Sequence, residues 1–421
     1  MTIADGRWPR AAGGGDLARD RIRLTSTRGL RGFVDGAISV VLAAYLTLVG
    51  YSGKEIGVVI AAMLLGSAAL TLATGVHGHR FARRRILVAG AGLMALTGIV
   101  YASTSSFVAL VVMGAIGTIN PTSGDVSVFL PMEQSLLPCT GPDSQRTSMF
   151  ARYAFVGSIF GALGSLAAGL PDWVAARTSI SREDALRGVF GAYAVAGLIA
   201  FTIYRRLSAS IEPVATDSPQ RLGASRPIVY RLAAVFSLDA LGGGFVVQSL
   251  LALWLYRRFD LSVAAAGALL FWTGVCSAFS AFVSARLAAR IGLVRTMVFT
   301  HLPAQVLLVF AALMPNLWLA VICLIARSLL SAMDVPARNS YVMAVVSPPE
   351  RAAAASITNV PRSLAAALPP IAAGWMLDHS TFGWPLIIAG TLKAIYDLLL
   401  LAMFRNVRPP EELPVSVGRA P

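Results

Sequence analysis

Polar and apolar residues along this chain are sorted into long blocks. Apolar runs near membrane-crossing length, about 20 residues, fall near 31–51, 55–76, 86–103, 107–136, 150–170, 187–207, 229–256, 263–285, 293–314, 317–345, 354–377 and 382–405. Charged or turn-rich breaks separate them. The pattern predicts an all-α membrane protein with twelve spanning helices, grouped six and six. The longest internal polar stretch, with the Pro, Ser and Gly content of a flexible linker, lies between the groups. The expected organisation is a tail over 1–30, a six-helix bundle over 31–207, a linker over 208–228, a second bundle over 229–405 and a tail over 406–421.

The second group repeats the first. Ser52, Gly57 and Arg80 recur as Ser262, Gly267 and Arg290, each 210 positions on. Pro131, Ser135, Arg146 and Gly169 recur as Pro336, Ser340, Arg351 and Gly374, each 205 positions on. Duplicated bundles that meet within a bilayer are a common way to build a midplane site exposed to each side in turn.

Composition narrows the class. Hydrophobic residues are 56% and charged residues 13% of the chain, and mean hydropathy is +0.70. Soluble domains carry about 25% charged residues, so this chain cannot clothe an ordinary water-facing surface. Cys139, Cys276 and Cys323 sit in apolar runs without ligand spacing and read as small core residues. The net charge of +14 would suggest nucleic acid for a soluble protein, but here it follows the membrane topology. Most Lys and Arg fall in the tails and alternate loops, whereas the opposite loops hold Lys54, Arg177, Arg182, Arg187, Arg257 and Arg258. The positive-inside rule therefore predicts both termini in the cytoplasm. The Gly- and Arg-rich stretch before Arg31 lacks the layout of a signal peptide and reads as a disordered tail.

Between spans 2 and 3 the chain reads Gly75-Val-His-Gly-His79-Arg80-Phe-Ala82-Arg83-Arg84. This resembles the signature loop of the major facilitator superfamily: a Gly, then Asp-Arg, then Gly-Arg-Arg/Lys. The related loop in the second half keeps Arg290 and Gly292. His79 stands where the family has an acid, and Ala82 where it has a second glycine. Span count, duplication and loop position extend the resemblance over nearly the whole chain. Span 5 carries Gly157, Gly161 and Gly164, which allow close helix approach. They also resemble a weakened form of the glycine-rich fifth-span motif of the family's antiporters.

The resemblance implies that spans 1, 4, 7 and 10 line a central cavity. Ionisable and polar residues concentrate there: Asp35 in span 1; Asn120, Asp125, Glu133 and Gln134 in span 4; Asp239 and Gln248 in span 7; Arg327, Asp334, Arg338 and Asn339 in span 10. Each charge costs about 2.5–3.5 kcal/mol at a helix centre, so such residues face a partner or water. Glu133 and Arg338 occupy repeat-related positions, and two readings stand for them. They form a salt bridge that closes the cytoplasmic side, or Glu133 also carries a transported proton. Asp35 either loads and releases protons, or snorkels to the cytoplasmic headgroups or pairs with a loop arginine. Breaks at Asn120–Asp125 and at Asp334-Val335-Pro336, in matching places of the two repeats, mark a site-lining kink or a plain one. Gly242-Gly243-Gly244 would let span 7 bend. Lys393 and Asp397, four apart, read as a mutually neutralised pair, and His301 as a hydrogen-bonded core residue.

These features predict a monomeric secondary transporter of the bacterial inner membrane, moving a small organic solute by alternating access. Proton-coupled efflux is the first reading and proton-coupled nutrient uptake the second. A membrane enzyme or receptor is disfavoured, because no nucleotide loop, metal-ligand cluster or nucleophile–His–acid arrangement is legible. The expected partners are the solute, protons and lipid. No cofactor, metal or nucleic acid is expected.

Overall fold

A computed structural model describes residues 14–77, 81–122, 128–142, 145–212, 222–223, 225–347 and 350–405, and all regular structure among them is helical. The first half contains α1 (Gly14–Leu48), α2 (Gly53–His77), α3 (Arg83–Ser103), α4 (Phe107–Ile116), α5 (Phe129–Leu136), α6 (Arg146–Ala167), α7 (Leu170–Arg177) and α8 (Arg182–Arg205). The second contains α9 (Arg226–Gly244), α10 (Gln248–Phe259), α11 (Val263–Ile291), α12 (Leu293–Leu313), α13 (Leu317–Ser331), α14 (Asp334–Val345), α15 (Arg351–Ala367), α16 (Pro369–His379) and α17 (Trp384–Phe404). Ten of the expected spans are long and apolar enough to cross a membrane. The other two, spans 4 and 11, are interrupted: span 4 is α4 and α5, and span 11 is α15 and α16. The result is two six-span bundles.

Breaks fall close to where polar or glycine residues interrupt the apolar runs. Span 4 stops at Ile116, ahead of Asn120 and Pro121. Span 7 divides after the glycine triplet, between Gly244 and Gln248. Span 10 divides at Ala332–Met333, and Pro336 then sits in the first turn of α14, where its missing amide costs no helix bond. Asp125 lies outside the described residues.

One expectation fails. The segment read as a disordered tail is helical from Gly14 onward. Its charges are paired locally, Asp16 with Arg19 at 3.2 Å and Asp20 with Arg23 at 2.7 Å. The tertiary structure then holds it, because buried Asp20 accepts hydrogen bonds from the amide and hydroxyl of Ser208. Arg23 reaches the Arg206 carbonyl at 2.6 Å. A polar sequence becomes ordered because the end of span 6 supplies its partners.

The terminal side is the face where α1 begins and α17 ends; the far side is opposite. Backbone-to-backbone glycine contacts join the two halves toward the far side. A Cβ on Gly374 would lie 1.9 Å from the Gly53 carbonyl, one on Gly57 2.2 Å from the Pro370 carbonyl, and one on Gly267 2.3 Å from the Ser165 carbonyl. These contacts place span 2 on span 11 and span 5 on span 8, as repeat-related pairs. Polar contacts reinforce the seam. The Ser249 hydroxyl donates to the Ser39 carbonyl at 2.8 Å, and the Tyr256 hydroxyl to the Val40 carbonyl at 2.9 Å. Asp378 at the end of span 11 accepts from the amides of Gly53 and Lys54, at 2.6 and 2.8 Å, and from Arg257 at 2.8 Å.

On the terminal side the described residues form separate apolar cores. One continuous core runs from the first half into α10, α11, α13, α16 and the far-side parts of α12 and α17. A second core, built from α9, α12, α14 and α17 around Phe236, Met297, Tyr341 and Tyr396, belongs to the second half alone. Within the first half, spans 1 and 5 pack through glycine: a Cβ on Gly36 would lie 2.0 Å from the Gly161 carbonyl, and one on Gly164 1.8 Å from the Phe33 carbonyl.

These two sets of glycines separate folding from conformational state. Gly36→Ala overpacks one bundle and is expected to cost about 1–3 kcal/mol of stability, read as a lower thermal midpoint. Gly374→Ala and Asp378→Asn act on the seam instead. They should change thiol labelling of a cysteine replacing Gln248 by several-fold, with a smaller change in midpoint than Gly36→Ala. Equal effects of all three on the midpoint alone would contradict this division.

Candidate functional site

Each half buries its charge in a cluster of its own. In the first half Glu133 on α5 is fully buried. Its carboxylate accepts from Thr27 at 2.8 Å, from Tyr204 at 2.6 Å, and from Arg31 and Tyr153 through short contacts. Thr27 and Arg31 come from span 1, Tyr153 from span 5 and Tyr204 from span 6. The Arg31 guanidinium also lies 4.2 Å from the Phe129 ring centroid. Four donors on one carboxylate make a fully satisfied site, and removing one charged partner of such a pair costs about 3–5 kcal/mol.

In the second half Asp239 on α9 takes the central place. It accepts from Lys393 at 2.6 Å and from Arg338 at 3.0 Å. Arg338 also pairs with Asp334, one turn earlier on α14, at 3.3 Å. His301 on α12 stands 3.8 Å from Asp239 through Nε2 and 3.0 Å from Asp397 through Nδ1. Four spans, 7, 9, 10 and 12, thus converge on one ionic network.

This geometry bears on two sequence readings. Glu133 and Arg338 each pair inside their own half, so in this state they do not bridge to each other. Lys393 and Asp397 do not neutralise each other, because their shared face packs on spans 7 and 9, where Lys393 pairs with Asp239 and Asp397 with His301. His301 is a hydrogen-bonded core residue, as its setting predicted, and it also connects two carboxylates.

Asp35 is buried and lies within electrostatic reach of Arg31 and Arg28. Among the described residues it makes no hydrogen bond or ion pair. The Asn120 Oδ1 accepts from the amide and hydroxyl of Thr122, at 2.9 and 2.6 Å, while its buried Nδ2 has no partner among the described residues. The neighbouring Pro121 carbonyl accepts from the Ser249 amide across the seam at 3.3 Å, so the break in span 4 serves the contact between halves. Gln248 donates to Ser165 at 3.3 Å, also across the seam. Gln134 and Asn339 are exposed, and Asn339 lines a cavity of about 220 Å³ with Phe236, Arg338, Met343, Asn359 and Arg362.

Of the loop motif, His79 and Arg80 lie outside the described residues, and Gly75 lies in the last turn of α2. The amides of Arg83 and Arg84 donate to Glu212 at 3.0 and 2.8 Å, so a linker carboxylate caps the first turn of α3, where four amides lack helical partners. Arg290 lies at the end of α11, and Gly292 makes the turn into α12 at φ 88°, a conformation that favours glycine. Glu350 plays the capping part in the second half, accepting from the amides of Gly223 and Ser225. Hydrogen bonds from Ser225 and Gly223 hold its carboxyl below the usual carboxylate range.

Asp378 is held low too. Burial works against its charge, but Arg257 and the α2 amides outweigh it. A group lowered on latching strengthens the latch above its ordinary value of 3.8, and that contribution fades only as pH falls through the lower latched value. Near neutral pH this end of the seam does not answer to protons.

Sequence reasoning missed Arg31, Thr27, Tyr153 and Tyr204 around Glu133, and the caps Glu212, Glu350 and Asp378. Thr27, Arg31 and Asp35 are spaced four apart on one face of a helix, a pattern that could have revealed the first two.

The fold has known counterparts. It superposes on a bacterial homologue of the human lysosomal transporter Spinster in an inward-facing, occupied conformation, with TM-score 0.70, 17% identity, and coverage of 93% of this chain and 96% of that one. The nucleoside transporter NupG gives TM-score 0.70 at 15% identity over 92% and 99%. An inward-facing bacterial homologue of the iron transporter ferroportin gives 0.70 at 15% over 92% and 98%. In sequence, the uncharacterized membrane protein YJR124C of Saccharomyces cerevisiae is 25% identical over 93% of this chain and 95% of its own length. The sequence profile of the Major Facilitator Superfamily matches residues 24–245 and 232–420. Twelve spans in two repeat-related bundles, joined by a glycine seam toward one side, go together with a match along almost the entire chain: the protein belongs to the Major Facilitator Superfamily.

Proposed function

We propose that this protein is a proton-coupled secondary transporter that exports a small organic solute across the bacterial inner membrane, with both termini in the cytoplasm. The observation that carries the reading is the one-sided seam. Glycine contacts and the Asp378 latch hold the halves together toward the far side, while each half keeps a separate core toward the terminal side. That asymmetry is one end state of alternating access, and with the termini inside it is the inward-facing one. Rocking the halves would part the seam and bring the two charge clusters toward each other.

Asp35 is the coupling residue in this reading. Glu133 and Asp239 already have cationic partners. Asp35 has none within hydrogen-bonding distance among the described residues, so a proton is left to neutralise it when closure removes water. The span-5 glycines are used in packing span 1 on span 5, so the preference for export rests on their resemblance to antiporters. The coupling assay decides between export and uptake.

Two experiments test this. A reporter fused after Arg408 should read cytoplasmic and one inserted near Asp172 periplasmic; the opposite result reverses the orientation and every assignment of sides. In proteoliposomes challenged with a compound panel and a proton gradient of either sign, Asp35→Asn should lower gradient-driven accumulation by at least about tenfold, the scale of losing a required proton-transfer group. Solute exchange without a gradient should persist in the mutant. Wild-type accumulation by Asp35→Asn would make that residue structural.

A further inference from the structure

The second half carries more positive charge than it neutralises. Facing its ionic network are Arg327, Arg338, Arg362 and Lys393, against Asp239, Asp334 and Asp397. With His301 uncharged, the described residues leave one cation in excess; with His301 charged, two. Among the described residues around Glu133 and Asp35 the cations are Arg28 and Arg31, equal in number to the acids.

The excess has a location. Arg338 and Lys393 are taken up by Asp239 and Asp334. Among the described residues Arg362 makes only a long hydrogen bond of 3.4 Å to Asn359, one turn earlier on its own helix, and its buried Nε has no partner there. Arg327 makes no hydrogen bond or ion pair among the described residues, and its Nε is likewise buried and unpartnered. Guanidinium groups in a membrane interior are costly unless water or an anion meets them. Arg362 lines the cavity of about 220 Å³, room for roughly seven waters at liquid density. The Asn339 and Asn359 amides add neutral hydrogen-bond donors to one part of its wall. Phe236, Val342 and Met343 supply an apolar part beside them.

We propose that this cavity, between spans 7, 10 and 11, binds the anionic group of an amphipathic organic anion through Arg362 and the amides of Asn339 and Asn359. Arg327 supplies long-range attraction, and the apolar wall receives the rest of the molecule. Calling that anion the transported substrate rests on the transport reading above; the binding site itself does not. A planar fork of donors suits a carboxylate, sulfonate or phosphate group in a way a single ammonium does not.

The test reads the cavity's charge without needing the natural ligand. Ala355→Cys, in the wall of the same cavity, is introduced after Cys139, Cys276 and Cys323 are replaced by serine, and the protein is reconstituted in nanodiscs. Labelling rates are measured with anionic methanethiosulfonate ethylsulfonate and cationic methanethiosulfonate ethyltrimethylammonium, each relative to its rate with 2-mercaptoethanol. The normalised ratio should favour the anionic reagent by about tenfold, the scale of one surplus charge nearby in a partly wet site. Arg362→Gln should remove most of the bias, Arg362→Lys should keep the bias while weakening protection, and Arg327→Gln should reduce it independently. Benzenesulfonate should slow labelling, and benzyltrimethylammonium should not. An unbiased or cation-favouring ratio, or equal protection by both compounds, overturns the anion site. Labelling needs no flux, so the two proposals fail separately. A biased cavity in a protein that moves no solute removes transport but leaves the site, whereas flux through an unbiased cavity does the reverse.

Discussion

Charge inside a membrane has to be met by something other than bulk water, and this constraint organises the protein. Glu133 draws four donors from three spans, and Asp239 draws cations from two more with His301 close by. Each cluster draws its partners from within one half, so neither Glu133 nor Asp239 depends on the other half for its counter-charge. What joins the halves is of a different kind: backbone carbonyls against glycines, a few hydroxyls, and one capping carboxylate. Contacts of that type hold little charge, so separating them does not strand an ion in lipid. Strong interactions inside the moving bodies and mild ones between them suit a protein that must change state without unfolding.

The repeats share a backbone plan but have opposite electrical sense. Span 4 of the first half presents an acid, met by a base from span 1; span 10 of the second presents a base at the related position, met by an acid from span 7. Inversion leaves the two cavity walls unlike, and a solute between them would meet a different chemistry on each side. The duplication fixed where charge sits, while its sign diverged.

Much of the architecture was legible because it follows from local rules. Span number comes from the apolar runs, and the breaks at Asn120, the Gly242–Gly244 triplet and Asp334 come from residues that helices tolerate poorly. Gly57 and Gly267 were visible as repeats, and their use against Pro370 and Ser165 explains why both positions lack a side chain. Partnership was less legible. Lys393 finds Asp239 across 154 residues of chain and His301 finds Asp397 across 96, and a reading by helix spacing has no access to such distances. Arg31 opens the first apolar run, where its place at the edge hides its burial, although α1 runs through it as one continuous helix.

The ends of the connecting segment carry a mechanical consequence. Asp20 and Glu212 fasten its beginning to the first half, and Glu350 fastens its end to the second. Each end of the connection is thus fixed to its own half, and what joins the two halves among the described residues is the glycine seam. Two chains cut within this segment would carry the same instructions for finding each other as the single polypeptide, which is what a protein descended from two copies of one unit would retain.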